Sequence, residues 1–153
     1  MPKVCQIAGM RLVKEMSVAA PDGYKPRAFL GSPKSVYEFM KPYADVEPAE
    51  TFWVICLDMQ HKAINGSPRV ITRGILNSSL VHPREVFRVA IADGAAAIVL
   101  VHNHPSGNPT PSADDRLITE QLVASGNLLD IPVHDHIICG ENVYTSFAEA
   151  GML

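Results

Sequence analysis

The chain has 153 residues, 47% of them hydrophobic and 19% charged, with a formal net charge of −3. That length supports one domain with a sizeable core, and the composition is too apolar for a disordered segment. The acidic balance argues against strong non-specific binding to nucleic acid, which needs a basic surface; Arg69, Arg73, Arg84 and Arg88 are the residues from which a local basic patch could be built.

Met1 to Gly31 has little periodicity and reads as an N-terminal arm, in which Val4 to Val13 could pair as an edge strand. Residues 32–153 then form the folded domain. Ser32 followed by Pro33 is a helix-start signal, with Val36, Phe39, Met40 and Tyr43 at helical spacing, so a helix is predicted from Pro33 to about Lys41. Thr51 to Leu57 is an aromatic and β-branched run, predicted as a buried strand. A short strand at Ala63–Ser67 and another at Val70–Leu76 follow, the latter with Gly74 marking a bulge. Asn77-Ser78-Ser79 leads into a helix from Pro83 to Asp93 whose apolar face is Val86, Phe87, Ala90 and Ile91, closed by Gly94 at its C′ position. Ala95 to Val101 is a buried strand. A helix from Ala113 to Ser125 directs Leu117, Ile118, Leu122 and Ala124 to the core and stops at Gly126. Strands at Ile131–Cys139 and Val143–Phe147 complete the chain. Strands alternating with three helices, with hairpin-like pairs among them, predict an α/β or α+β fold with a mixed sheet.

Cys5, Cys56 and Cys139 are widely spaced, with no CxxC, and read as buried free thiols in a reducing compartment. No apolar run approaches the roughly 20 residues of a membrane span, and the N-terminus has no signal-peptide pattern, so a soluble cytoplasmic protein is expected.

The stretch from Val101 to Asp115, VHNHPSGNPTPSADD, carries the chemistry. His102 and His104 are two apart at a strand end and point to one side if the strand persists to Pro105. Gly107 and the prolines make a stiff turn, and Ser112 is a helix N-cap with Asp114 and Asp115 in the first turn. The turn can return Asp115 to the imidazoles. Two histidines and a carboxylate suit an open catalytic zinc site, and non-haem iron uses the same ligand types. His134 and His136 flank Asp135 on one predicted strand face, where core or surface histidines are the default and a second metal site the alternative.

The pattern His102-x-His104-Pro105, then Ser112 and Asp115, resembles the JAMM (JAB/MPN) metalloprotease motif. The fuller wording HNHPSGNPTPS followed by Asp115 resembles the RadC branch of that superfamily, as do His82-Pro83-Arg84-Glu85 and Asp135-His136-Ile137-Ile138. The resemblance covers the chain from about Ser32 onward. It implies a mixed sheet sandwiched by about three helices, of JAB/MPN, cytidine deaminase-like architecture. It also implies zinc on His102, His104 and Asp115, a glutamate base at the edge of an early core strand, and a serine supporting the oxyanion. Glu50 and Ser112 match those last two positions; Glu85 is the rival base. Asn103 replaces the serine or threonine found between the histidines of deubiquitinating JAMM enzymes, which puts ubiquitin-like substrates in doubt but not the metal.

Two functions compete. One is a zinc metallohydrolase that cleaves peptide or isopeptide bonds. The other is a DNA-repair or mobile-element accessory protein acting through nucleic acid or a partner, as RadC proteins are often labelled, with the metal site structural or vestigial. No helix-hairpin-helix region of longer RadC proteins is legible here, so direct DNA binding is expected to be weak or absent. An HxE…PCxxC deaminase pattern is lacking.

Overall fold

The computed structural model describes residues 26–74 and 80–153, together with the backbone of 5–7 and 10–12. The rest of the N-terminal arm, the Cys5 side chain, the far end of the predicted Val70–Leu76 strand and the Asn77-Ser78-Ser79 turn lie outside the described residues. The short strands β1 (Cys5–Ile7) and β2 (Met10–Leu12) pair antiparallel with each other. They form a two-stranded sheet of their own instead of edging the main one.

The main sheet comprises β3 (Thr51–Leu57), β4 (Arg69–Arg73), β5 (Ala97–Asn103), β6 (Val133–Cys139) and β7 (Tyr144–Ser146), in the order β4-β3-β5-β6-β7. β5 and β6 run parallel and every other neighbouring pair is antiparallel, so the sheet is mixed. β3 and β5 are buried along their whole length, because both faces are covered. Phe52, Val54, Cys56, Ile98 and Leu100 share one cluster with Val86, Phe87 and Ala90 of α2 (Pro83–Ala92) and Ile118 and Leu122 of α3 (Ala113–Leu129). The alternate residues Trp53, Ile55, Leu57, Val99 and Val101 share the other with Val36 and Met40 of α1 (Pro33–Ala44). The mixed α/β sandwich with three helices is therefore present as predicted, with the period-2 alternation of the strands dividing the core into two halves. Among the described residues, no helix is long and apolar enough to cross a membrane.

Several local expectations are corrected. α1 continues past Lys41 through Pro42, because Tyr43 and Ala44 still pack on the α1-side core and Asp45 N–H closes onto the Lys41 carbonyl. Ala63–Ser67 forms no strand; Lys62 and Ala63 make only isolated bridges to Phe29 and Leu57. Gly74 is not a bulge but a positive-φ residue just past β4, its N–H on the Glu50 carbonyl. The irregularity lies between Phe52 and Trp53, which face Thr72 and Val70 and leave Ile71 as the extra residue. Ile91 at 60% exposure faces away from the core. Gly94 does take the left-handed conformation just beyond α2.

Gly126 lies inside α3, which ends at Asp130 in the left-handed region. A Cβ at Gly126 would stand 2.5 Å from the Ile131 carbonyl oxygen and 3.2 Å from the Phe87 ring. This glycine is thus required by close approach of the chain, not by helix termination. The buried face of α3 is Asp115, Ile118, Thr119, Leu122 and Gly126, while Leu117 and Ala124 are exposed. Three of those five residues are polar or lack a side chain, so apolar periodicity alone does not find the face.

Candidate metal centre

The parallel strands β5 and β6 end on the same side of the sheet, and α3 begins there. His102 is the penultimate residue of β5, facing the α3 side, and is fully buried. The strand ladder stops at Asn103, yet His104 N–H still bonds the Cys139 carbonyl at 2.9 Å, so the extended geometry carries His104 to the same side as His102. Beyond Pro105 the chain turns through Gly107, whose φ of 83° suits only glycine. That turn is fastened from behind: Glu141 N–H bonds the Gly107 carbonyl, and a Cβ on Gly140 would lie 2.4 Å from the same oxygen.

Ser112 caps α3 as expected. Its Oγ accepts from Asp115 N–H at 3.1 Å, and its own N–H donates to Asp115 Oδ2 at 2.7 Å. This reciprocal box fixes the Asp115 carboxylate, 3% exposed, against both imidazoles. Oδ1 is 3.1 Å from His102 Nε2, and Oδ2 is 3.4 Å from His104 Nε2. The two Nε2 atoms are themselves 2.9 Å apart. Glu50, just ahead of β3, brings Oε1 to 3.8 Å from His104 Nε2. The structure thus gathers His102, His104, Asp115, Glu50 and the capping Ser112 from three elements. Glu85 is instead engaged with Arg84 and Arg88 at the exposed start of α2.

The electrostatics follow from this crowding. Burial opposes ionisation of Asp115, but the contacts with the His102 and His104 rings outweigh it and hold its carboxyl well below the usual range. The same contact with Asp115 raises the pKa of His104 against the effect of burial, with help from the Asn108 carbonyl. Because that carbonyl, 2.8 Å from Nδ1, can only accept, a neutral His104 presents a bare Nε2. A bare imidazole nitrogen, a second nitrogen 2.9 Å away and a carboxylate on both need a positive charge between them, a proton or a metal ion. The donor set therefore fits a metal ion, and Glu50, His102 and His104 each offer a ligand atom within 4.8 Å of the others.

Two residues that the sequence singles out without showing their partners complete the surroundings. Asn103, on the opposite face of β5, accepts from Thr51 N–H at 2.8 Å and donates to the carbonyls of Glu47 and Ala49 at 3.3 and 3.0 Å. It ties the Glu50 segment to the histidine strand. His136 is fully buried with Nε2 at 2.8 Å from His102 Nδ1, and Thr119 Oγ1 lies 2.6 Å from its other ring nitrogen. Burial pushes the His136 imidazole well below its usual pKa, as do the neighbouring histidines, so it is neutral. The expectation that His134 and His136 share a face fails. Val133 and Asp135 pair with consecutive residues of β5, leaving His134 as an extra residue that stacks on His61 at 5.0 Å. Cys56 and Cys139 are buried free thiols, their pKa values pushed up by burial to about 12. A cleft of about 430 Å³ lies on the α1 side of the sheet, lined by Lys41, Asp45, Glu47, Asn103 and Glu141 among others, and touches the site only through His104.

The RadC-like JAB domain model matches residues 30–152. A UPF0758 protein of Symbiobacterium thermophilum is 45% identical over 152 residues, 99% of this chain and 62% of that relative. One of Methanosarcina barkeri is 42% identical over 129 residues, 84% of this chain and 56% of its own length. One of Pelobacter propionicus is 40% identical over 164 aligned residues, covering this whole chain and 70% of the relative. The chain thus spans less than two thirds of the first two relatives. With the histidine strand, the capped helix and the mixed sheet all within the matched region, this chain belongs to the RadC-like JAB domain family.

Proposed function

We propose that this domain is a zinc-dependent hydrolase of peptide or isopeptide bonds, in which His102, His104 and Asp115 hold the metal and Glu50 is the general base. The observation that carries the reading is the convergence of two imidazole Nε2 atoms and a buried, reciprocally capped carboxylate on one point, with a second carboxylate beside it. When bound, zinc supplies Lewis acidity, which acidifies a water and polarises a carbonyl.

This chain's residues do the rest. Glu50 takes the proton of the attacking water and passes it to the leaving amine. At 27% side-chain exposure its carboxylate remains open to the solvent side of the site. Ser112 Oγ accepts from Asp115 N–H and keeps its own proton to donate toward a developing oxyanion.

A nucleic-acid role ranks second because the arginines that could build a basic patch are committed to carboxylates. Arg69 pairs with Asp93, Arg73 with Glu47, and Arg84 and Arg88 with Glu85. Elemental analysis of protein purified without chelator tests the metal reading. About one zinc per chain is expected from the one such site among the described residues, and its loss in His104→Ala and Asp115→Ala. Zinc retained undiminished in either variant removes that residue from the ligand set.

A further inference from the structure

We propose that Thr119 and His136 form a buried hydrogen-bond chain that sets the tautomer of His102, so that its Nε2 meets Asp115 and His104 as a bare lone pair. The inference rests on the metal-holding role of His102 and extends it to two residues that touch no substrate.

The chain runs from Asp115 O to Thr119 Oγ1 at 2.6 Å, on to His136 Nδ1 at 2.6 Å, and from His136 Nε2 to His102 Nδ1 at 2.8 Å. Thr119 is 1% exposed and both histidines 0%, so the links have each other as partners and not water. The hydroxyl and each neutral imidazole carry one proton apiece, and a chain of this kind can be filled in two directions. In one, the hydroxyl donates to His136 Nδ1, His136 Nε2–H donates to His102, and His102 is left with a proton on Nε2, where it cannot ligate. In the other, the hydroxyl donates to the Asp115 carbonyl, His136 Nδ1–H donates to the hydroxyl, His102 Nδ1–H donates to His136 Nε2, and His102 Nε2 is bare.

The Asp115 carbonyl decides between them. It can only accept, and a hydroxyl oxygen 2.6 Å away is tolerated only with the hydroxyl proton lying between the two oxygens. Reversing the chain would set two lone-pair oxygens against each other at that distance. This contact favours the second direction, against the pull of Asp115 Oδ1, 3.1 Å from His102 Nε2, for a proton on that nitrogen. Thr119 sits one helical turn after Asp115, where a threonine hydroxyl naturally bonds back to the i−4 carbonyl. Asp115 thus acts twice, its carboxylate facing the imidazoles and its carbonyl anchoring the chain that orients one of them. A partner on the far ring nitrogen of a metal-ligating histidine is the general rule, and losing it typically costs on the order of 10- to 100-fold in metal affinity. Here the partner is a second imidazole that is itself directed by a hydroxyl.

The test uses the full chain as wild type, Thr119→Val, Thr119→Ser and His136→Phe. Zinc affinity is measured by competition with a chromophoric chelator, and ring-nitrogen tautomers by long-range proton–nitrogen NMR on metal-free and zinc-loaded protein. Thermal melts confirm that each variant folds. Valine is nearly isosteric with threonine but removes the hydroxyl, so Thr119→Val is expected to weaken zinc roughly 10- to 100-fold while Thr119→Ser restores it. His136→Phe keeps the ring stacked on Phe147 but offers no acceptor, and is expected to lose at least as much. Wild-type His102 and His136 should both be Nδ1–H tautomers with and without zinc. Wild-type affinity in Thr119→Val, or an Nε2–H tautomer at His102 in the metal-free protein, would overturn the chain. Nδ1–H tautomers in a wild-type protein that takes up no zinc would uphold the chain and remove the metal reading instead.

Discussion

Asn103 lies between the two histidines but points away from them. Its amide makes three hydrogen bonds to the 47–51 backbone, so the position of the Glu50 backbone is set from the opposite face of the sheet. Two predictions separate the residues of this neighbourhood. Glu50→Gln keeps the shape and hydrogen bonding of the side chain but cannot accept a proton. It should retain fold and zinc and lose on the order of a hundred- to ten-thousand-fold in turnover, measured on a panel of peptide and isopeptide substrates with zinc content assayed in parallel. Turnover equal to wild type would move the base elsewhere. Asn103→Ala leaves the Thr51 N–H and two carbonyls without their partner and should lower turnover well beyond its effect on zinc affinity. An equal loss of both would place Asn103 with the ligands. Glu85→Gln should change only the exposed pairing with Arg84 and Arg88.

At the scale of the element, α3 shows why the site was more legible than the helix that carries it. Ser112, Asp114 and Asp115 are sequence-local signals, and a capping residue with acidic groups in the first turn acts wherever the helix lies. The buried stripe of the same helix was not legible, because Asp115 and Thr119 occupy it for reasons of hydrogen bonding and Gly126 for reasons of space. A rule that seeks apolar residues every three or four positions sends Leu117 inward in their place. The strand β3 lies where its run predicts and β5 lies two residues later than expected, at Ala97–Asn103 instead of Ala95–Val101, because both runs are mostly apolar, whereas the place of His136 is not legible because nothing local says that β6 lies beside β5. Ser112→Ala should cost about 1 kcal/mol of stability, readable in a denaturant midpoint, and should also weaken zinc, since Ser112 helps orient Asp115. Unchanged zinc affinity would show that the Ser112 N–H alone holds the carboxylate. Gly126→Val should destabilise sharply by driving a side chain into the Ile131 carbonyl; a wild-type melting temperature would mean that α3 can shift freely.

For the whole molecule, pH acts through two groups of opposite sign. Asp93 is held below the usual carboxylate range by its hydrogen bonds to Arg69, as Asp115 is by the histidines. Stability from such groups is present above the unfolded carboxylate pKa of about 4 and is lost as pH falls through the depressed folded value. His104 is the reverse case. Its raised pKa contributes stability to the metal-free chain below about 6.5, and that contribution is lost as pH rises through the raised value. Protons and zinc compete for the same nitrogen, so the melting-temperature gap between zinc-loaded and metal-free protein should narrow as pH falls from 8 to about 6. A gap that widens in acid would contradict the involvement of His104. With net charge −3 and Arg69, Arg73, Arg84 and Arg88 paired with carboxylates, the domain should bind DNA weakly and lose that binding steeply with salt. Tight, sequence-selective binding in an anisotropy titration at physiological salt would bring the nucleic-acid reading forward.

The contact between Gly107 and Gly140 bears on how this domain tolerates change in length. By exposure alone, the turn between β6 and β7, with Glu141, Asn142 and Val143 at its tip, is a natural place for an insertion. Yet its first residue has no room for a Cβ against the loop that follows His104, and its second donates a backbone hydrogen bond to that loop. The two segments are therefore one unit of variation: lengthening the hairpin would shift the loop, and with it the Asn108 carbonyl that orients His104. Exchanging either segment alone with a relative whose turn differs in length should disrupt the domain, whereas exchanging both together should not.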